Sequence, residues 1–247
     1  YWIGGGTRTA PLFLWKLLRT VKYLFKGLIA EKYDEWYKEK LGKFVDEVET
    51  NAALDLLSPR SGMSLLDAGC GTGNFSLKLA RRGCKVLGVD ISADMLAIAR
   101  CKPEQEQLPI ELLEMDVYDL RFADNSFDGV ISMAAWEFIK DEETAFAQLY
   151  RVLKPGGKLL IGTINQNSPW GKLYQDIARQ DEGSVFRHAC FKTMEDLRKL
   201  KPEELIDTRE CLFVPPNAPE HMINLTGEEQ YKNLEKPGFI IAVWEKK

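Results

Sequence analysis

The first feature of the chain is a repeated exchange between short apolar runs and longer amphipathic segments, beginning near residue 63. The apolar runs have the length of buried strands, and the segments between them space their apolar side chains as a helix does. The predicted strands cover 63–68, 85–90, 110–115, 127–132 and 158–164, and the predicted helices cover 75–82, 93–100 and 142–153. Strands that alternate with helices specify a parallel sheet with right-handed crossovers and helices on both faces.

The pattern changes on both sides of this core. Residues 31–57 predict one or two helices, and residues 165–190 predict a polar insertion that carries aromatic side chains. A helix over 193–200 and two late strands over 209–214 and 239–245 complete the predicted elements.

Composition and charge narrow the function classes. The net charge of −4 disfavours a nucleic-acid enzyme, because phosphate binding favours a basic surface. The five cysteines are scattered without a C-x-x-C pair, which argues against a disulfide framework or a zinc site and fits a reducing cytosol. No segment approaches the about 18 apolar residues of a membrane-spanning helix. We therefore expect a cytoplasmic protein that holds no metal.

The stretch SLLDAGCGTGN, residues 64–74, places three glycines directly after the first predicted strand. Ligands of open α/β sheets bind at the carboxyl ends of the strands, and glycines let the backbone approach them closely. No Lys-Ser or Lys-Thr follows, so the stretch is not a P-loop, and Asn74 stands where a dinucleotide loop has its third glycine. Asp67, two residues before Gly69, suits a ligand with a cationic amine. S-adenosylmethionine carries such an amine and no phosphate. An NAD-dependent oxidoreductase is disfavoured because the third glycine of its loop is missing.

Two further acids follow the next predicted strands. Asp90 ends the second strand 17 residues after Gly73, where a carboxylate can accept hydrogen bonds from both ribose hydroxyls. NAD enzymes place an acid similarly, so Asp90 alone does not discriminate between the two cofactors. Asp116 follows the third strand, where an acid can meet the adenine amino group. The loop and both acids together predict a nucleoside site for S-adenosylmethionine.

Three stretches carry a family resemblance: LLDAGCGTGNFSLKLARRGCKVLGVDISADMLAIAR, DVYDLRFADNSFDGVISMAAWEFI and LYRVLKPGGKLLIGTIN. With these motifs the chain, from about Tyr33 to Asn165, resembles the class I S-adenosylmethionine-dependent methyltransferases. The most similar subgroup is typified by the C-methyltransferases of ubiquinone and menaquinone biosynthesis. The resemblance implies a Rossmann-like α/β fold, a three-layer sandwich whose seven-stranded, mostly parallel sheet ends in a C-terminal antiparallel β-hairpin.

The resemblance also implies roles for individual residues. Tyr33 would close the cofactor pocket, and the residues around the glycine loop would hold the methionine end. Asp90 would bind the ribose, and the residues near Ile91 and Asp116 would contact the adenine. The end of the fourth strand would line the methyl-transfer site. The implied cofactor-binding residues are Tyr33, Asp67, Ala68, Gly69, Gly71, Gly73, Asp90, Ile91, Met95, Asp116, Val117, Ser132 and Met133.

Candidate catalytic bases are few. Methyl transfer mainly needs alignment and desolvation, but a carbon or phenolic acceptor must also lose a proton to a base. The chain reads Trp136-Glu137-Phe138 where related enzymes often carry Leu-Glu-His, so it lacks one familiar base. The candidates are His188, Glu137 and Tyr33; a purely structural role is the open alternative for each.

The function that the sequence predicts is S-adenosylmethionine-dependent methylation of a small, apolar or aromatic molecule by in-line displacement, with S-adenosylhomocysteine as the product. The alternative is a catalytically silent sensor or scaffold that binds the same cofactor. We expect no nucleic-acid partner. Residues 1–29 form a basic arm, within which an amphipathic helix over 10–29 predicts either peripheral membrane contact or packing on its own domain. Residues 30–247 form one domain, divided into a helical cap (30–62), a cofactor-binding core (63–164), a substrate lid (165–208) and a hairpin (209–247).

Overall fold

The computed structural model describes residues 24–247, apart from the side chains of residues 103–105. Most of the amphipathic helix expected over 10–29 lies outside the described residues. No helix within the described part of the chain is both long enough and apolar enough to cross a bilayer.

Within residues 24–247, seven strands form one sheet, in the order β3-β2-β1-β4-β5-β7-β6. The strands β1 to β5 pair in parallel, and β7 pairs antiparallel with both β5 and β6. This topology confirms the predicted fold class. The strands are β1 (Ser64–Ala68), β2 (Lys85–Asp90), β3 (Ile110–Glu114), β4 (Phe127–Met133), β5 (Leu153–Ile164), β6 (Leu205–Cys211) and β7 (Phe239–Glu245).

The α-helices of the described residues precede, connect and follow these strands. They are α1 (Leu28–Trp36), α2 (Lys40–Leu57), α3 (Asn74–Ala80), α4 (Ala93–Glu106), α5 (Glu142–Val152), α6 (Pro169–Gln180), α7 (Met194–Lys199) and α8 (Leu225–Tyr231).

The core lies on both faces of the sheet because successive strand residues point to opposite sides. Leu160 of β5 packs with the apolar side chains of α2, and its neighbour Leu159 packs with those of α5. Both leucines are fully buried. The molecule is therefore a helix–sheet–helix sandwich. Helices cover both faces of the sheet, so the carboxyl ends of the parallel strands remain open to a ligand.

The sixth strand differs in its bounds from the prediction for a reason that the local hydrogen bonds show, whereas the seventh has the predicted bounds. β6 covers 205–211 rather than 209–214, because the backbone N–H groups of Phe213 and Val214 donate to the carboxylate of Glu228 instead of to a neighbouring strand. Leu212 has a φ of 63°, which ends the extended conformation. The strand consequently crosses the boundary drawn between residues 208 and 209, and the division of the domain stays a prediction.

The polar stretch 165–190 contains a helix that the sequence analysis missed. Ser168 caps α6 by accepting a hydrogen bond from the backbone of Gly171, and Pro169 occupies the first turn. A serine cap followed by proline is a helix start signal, so the pattern SPWG could have revealed α6.

Candidate active site

A cavity opens beyond the carboxyl ends of β1 to β4, on the edge of the sheet where the strand order reverses between β1 and β4. Its floor is made by the four segments that leave these strands, 68–72, 89–92, 115–118 and 132–135. A topological switch point of this kind is where open α/β sheets bind their ligands.

The glycine loop requires glycine for two separate reasons. Gly69, Gly71 and Gly73 have φ values of 75°, 54° and 75°, in the left-handed region that other residues avoid. A Cβ on Gly69 would stand 2.6 Å from the Cβ of Ala135, and one on Gly71 would stand 3.3 Å from Cε of Met95. The backbone conformation thus favours glycine at all three positions, and at Gly69 the close neighbour also excludes a Cβ.

Asp90 ties the loop to the end of β2 and keeps acceptor capacity for a ligand. Its Oδ2 accepts a hydrogen bond from the Gly71 N–H and its Oδ1 accepts one from the Ser92 N–H, both at 2.8 Å. Because a carboxylate offers about four lone-pair sites, roughly two remain. The side chain lines the cavity, and burial raises its pKa despite these backbone bonds. A vicinal diol such as a ribose fits this carboxylate.

The next wall segment has the chemistry of an adenine site. Asp116 lines the cavity and accepts the Tyr118 N–H on Oδ1 at 3.0 Å, which fixes its carboxylate beside apolar neighbours. Ile91, Met95 and Val117 line the same cavity. An acceptor between apolar side chains suits the amino edge of a flat base. The structure brings these four residues to one cavity, and their contact with an adenine stays a prediction.

Asp67 takes a different position from the other cofactor residues. Its side chain is 1% exposed and is not one of the described side chains that line the cavity. It accepts a 2.6 Å hydrogen bond from Ser76 Oγ of α3. Burial raises its pKa to about 6. The carboxyl group joins β1 to α3 beneath the glycine loop, so a direct contact with a methionine amine stays a prediction. Gly73 also lies behind the cavity surface.

One wall of the cavity is aromatic. Tyr33 and Tyr37 line it, with hydroxyl oxygens 3.4 Å apart, and Phe25 makes edge contacts with Tyr33 and Phe138 at centroid distances of 6.1 and 5.2 Å. Trp36, which lies between the two tyrosines in sequence, instead packs towards the core near α2. Ser132 and Met133, at the end of β4, also line the cavity.

Two lining carboxyl groups were missed by the sequence analysis. Asp46 and Glu49 of α2 both face the cavity. Val45, Val48 and Ala52 form the buried stripe of α2, and Glu49 lies within that stripe. A charged residue at a core position of an amphipathic helix is the signal that could have found it.

Of the three predicted bases, Tyr33 alone lines the cavity in the described part of the chain. Glu137 is 2% exposed and accepts a 2.9 Å hydrogen bond from Thr163 Oγ1 behind the wall. His188 ends a short helical turn over 185–188 and is half-buried. Catalytic roles for Glu137 and His188 stay predictions.

The buried carboxyl group of Glu137 should make stability depend on pH. Burial raises its pKa from 4.5 to about 7, so the folded state holds this proton more tightly than the unfolded chain does. Its contribution is therefore fully present at low pH and is lost as pH rises from about 4.5 to 7. We expect Glu137→Gln to reduce the fall of Tm between pH 5 and pH 8 by about 5–10 °C in thermal unfolding. The exposed variant Glu143→Gln should leave that fall unchanged; equal curves for all three proteins would contradict the assignment.

Helix α1 is fastened over the glycine loop by one side chain. Asp34 accepts hydrogen bonds from Thr72 Oγ1 at 2.7 Å and Asn74 Nδ2 at 3.1 Å, and it pairs with Lys102 at 2.6 Å. Burial alone would raise the pKa of Asp34, but the bonds from Lys102 and Thr72 outweigh burial and hold that pKa below its ordinary value. The contact closes one side of the cavity.

The chain just before α1 crosses the neighbouring side. Ser92 Oγ donates to the Phe25 carbonyl at 2.6 Å, and the Gly27 N–H donates to Asp94 Oδ2 at 2.8 Å. Phe25 and Tyr33 thereby cover the cavity next to the turn that follows β2.

Removing the Asp34 contact should loosen this cover. We expect Asp34→Ala to weaken S-adenosylhomocysteine binding by about 5- to 30-fold, equivalent to about 1–2 kcal/mol for a partly exposed charged hydrogen-bond group. Isothermal titration calorimetry measures the change, with Glu35→Ala on the exposed face of α1 as the matched control. Identical affinities for both variants would show that α1 is not coupled to the site.

The described charged side chains that line the cavity are all acidic. Among the described lining residues are four carboxyl groups and no lysine, arginine or histidine. In the same part of the chain no group of three or more histidine, cysteine or acidic side chains has an arrangement that could hold a metal ion.

Comparison with known proteins agrees with this geometry. A methyltransferase domain family matches residues 66–161. Demethylmenaquinone methyltransferase of Thermus thermophilus is 40% identical over 111 residues, which cover 44% of this chain and 50% of that protein. Ubiquinone biosynthesis O-methyltransferase of Coxiella burnetii is 34% identical over 148 residues, which cover 53% of this chain and 63% of that protein. The chain thus matches about half to two thirds of the length of these curated relatives.

A similar fold is found among solved structures. An S-adenosylmethionine-dependent methyltransferase from Thermotoga maritima superposes with a TM-score of 0.70 at 24% identity, over 92% of this chain and all of that one. The motifs, the strand order and the domain match together show that this chain belongs to the class I S-adenosylmethionine-dependent methyltransferases.

Proposed function

We propose that the protein transfers a methyl group from S-adenosylmethionine to a small, uncharged aromatic molecule. The observation that carries the proposal is the composition of one cavity. It contains a nucleoside cradle, made by the glycine loop, Asp90 and Asp116, and an aromatic chamber, made by Tyr33, Tyr37 and Phe138. No basic side chain of the described residues lines the cavity. The cradle and the chamber meet at the segment 132–135, so a donor and an acceptor bound in the two parts would be neighbours.

The residues of the cradle fit the methyl donor. Asp90 would bind the ribose hydroxyls, Asp116 the adenine amino group, and the backbone around Gly69 and Gly71 the methionine end. S-adenosylmethionine, when bound, supplies a methyl group on a positively charged sulfur and leaves as a neutral thioether. The chain itself aligns the two reactants and excludes water, which is the main requirement of such a displacement.

The chamber favours an acceptor that is flat and uncharged. Tyr33, Tyr37 and Phe138 offer ring faces and edges, and no basic side chain of the described residues lines the chamber to balance the charge of an anion. Two of the curated relatives are named for quinone compounds, demethylmenaquinone and ubiquinone. We therefore propose a phenol or hydroquinone related to the quinones as the acceptor class.

A matched pair of acceptors tests the proposal. The enzyme is incubated with methyl-labelled S-adenosylmethionine and either 1,4-dihydroxynaphthalene or 1,4-dihydroxy-2-naphthoate, which differ by one carboxylate. We expect labelled product from the uncharged compound and at least about tenfold less from the anion, because no lining cation of the described residues balances the added charge.

The same assay separates an enzyme from the catalytically silent alternative. A silent binding protein would bind S-adenosylmethionine in calorimetry and form no S-adenosylhomocysteine with either compound. Preference for the carboxylated compound would instead contradict the proposed acceptor class.

A further inference from the structure

The aromatic chamber contains one carboxyl group that forms no direct ion pair with a basic side chain in the described part of the chain. Glu49 of α2 lines the chamber and is partly buried. No ion pair with a lysine, arginine or histidine is formed by Glu49 within the described residues. Its neighbour Asp46, by contrast, is paired with Lys78, which also donates to Thr50 Oγ1 at 2.6 Å.

The groups that face Glu49 are mostly acidic or aromatic. Burial, followed by the charges of Asp46 and Glu137, raises the pKa of Glu49 well above 4.5, and Lys78 of α3 lowers it by a smaller amount. The ionisable groups that face it from the other elements are Tyr33 and Tyr37 near α1, Tyr174 of α6 and Cys211 of β6.

The other ionisable groups of the chamber do not suit a base. Burial raises the pKa of Tyr33 to about 12, and it raises that of Tyr37 as well, so both hydroxyls keep their protons at neutral pH. Asp46 is occupied by Lys78. Glu49 lines the chamber, and because burial raises its pKa above the ordinary value, its carboxylate accepts a proton more readily than that of an exposed glutamate.

We infer that Glu49 is the general base of the proposed methyl transfer and takes the proton from a phenolic hydroxyl of the acceptor. The inference rests on the proposed function, and it specifies that the acceptor enters the site as a neutral phenol.

The step balances without any further reactant. The O–H bond of the phenol breaks, its electron pair stays on oxygen, and the proton bonds to a carboxylate oxygen of Glu49, which becomes neutral. The phenolate oxygen uses an electron pair to bond the methyl carbon, as the electron pair of the carbon–sulfur bond returns to sulfur. Glu49 then gives its proton to water as the products leave.

Glu49→Gln tests the inference, with Glu47→Gln on the exposed side of the same helix as the matched control. The glutamine resembles the protonated carboxyl group in shape and carries no charge, so the variant should fold. With 1,4-dihydroxynaphthalene as the probe, we expect kcat to fall by about 100-fold or more in Glu49→Gln and to stay unchanged in Glu47→Gln. Affinity for S-adenosylhomocysteine should be unchanged in both.

The pH profile supplies a readout that a structural role would not move. In the wild type kcat should rise with pH as Glu49 loses its proton, and this limb should disappear in Glu49→Gln. If the wild type methylates the probe and Glu49→Gln does so equally well with the same pH limb, the base assignment is wrong while the proposed function stands. If the wild type binds the cofactor and leaves the probe unmethylated, both the phenolic acceptor and the role of Glu49 towards it are overturned.

Discussion

Replacing Asp90 by alanine is expected to weaken S-adenosylhomocysteine binding by about 10²- to 10⁴-fold. The carboxylate holds the Gly71 and Ser92 N–H groups at 2.8 Å, and it has acceptor sites left for two ribose hydroxyls. Each hydrogen bond to a charged group contributes about 1.5–3 kcal/mol, and two such bonds account for the expected loss. Isothermal titration calorimetry with the purified protein measures it directly.

Asp119→Ala is the matched control for this variant. Asp119 lies on the segment that follows β3 and is exposed, outside the lining of the cavity. Its replacement should leave the affinity within about twofold of the wild type, as exposed charges contribute little. An affinity of Asp90→Ala that matches the control would contradict the assignment of the ribose site.

Replacing Gly69 by alanine is expected to destabilise the protein by about 2–5 kcal/mol. A φ of 75° costs a residue with a Cβ about 1–2 kcal/mol, and the contact with Ala135 at 2.6 Å forces a local shift of about 1–3 kcal/mol more. Differential scanning calorimetry should show a Tm lower by at least about 5 °C.

Two further variants separate the strain from the close contact. Gly62 has a φ of 87°, and no described atom lies within 4 Å of the point that a Cβ would occupy there, so Gly62→Ala should show the conformational cost alone. Adding Ala135→Gly to Gly69→Ala removes the contacting methyl group and should return the stability to the level of Gly62→Ala. Equal Tm values for Gly69→Ala and Gly62→Ala would show that the contact is unimportant.

The cofactor half of the site could be predicted because its chemistry is local in sequence. The glycine loop follows β1, Asp90 ends β2 and Asp116 lies just after β3, and parallel strands bring their carboxyl ends to one edge of the sheet. Ile91 and Val117 each follow one of these acids directly, so the same topology carries them to the cavity.

The acceptor half could be predicted only in part, because long-range packing decides it. Glu49 faces the cavity through the docking of α2 on the sheet, and Phe25 through a hydrogen bond from Ser92 that spans 67 positions in the chain. Glu137 is turned towards Thr163 of β5 instead. The helical pattern marks Glu49 as an acid at a core position, but it does not show whether such an acid faces a cavity or lies behind its wall.

The ratio of the two products tests the central claim most directly. Wild-type protein is incubated with methyl-labelled S-adenosylmethionine and 1,4-dihydroxynaphthalene, and both S-adenosylhomocysteine and labelled acceptor are quantified by mass spectrometry. A methyltransferase that uses this cavity yields the two products in equal amounts and yields neither when Asp90 is replaced by alanine. S-adenosylhomocysteine without labelled acceptor, or equal turnover by Asp90→Ala, would contradict the account.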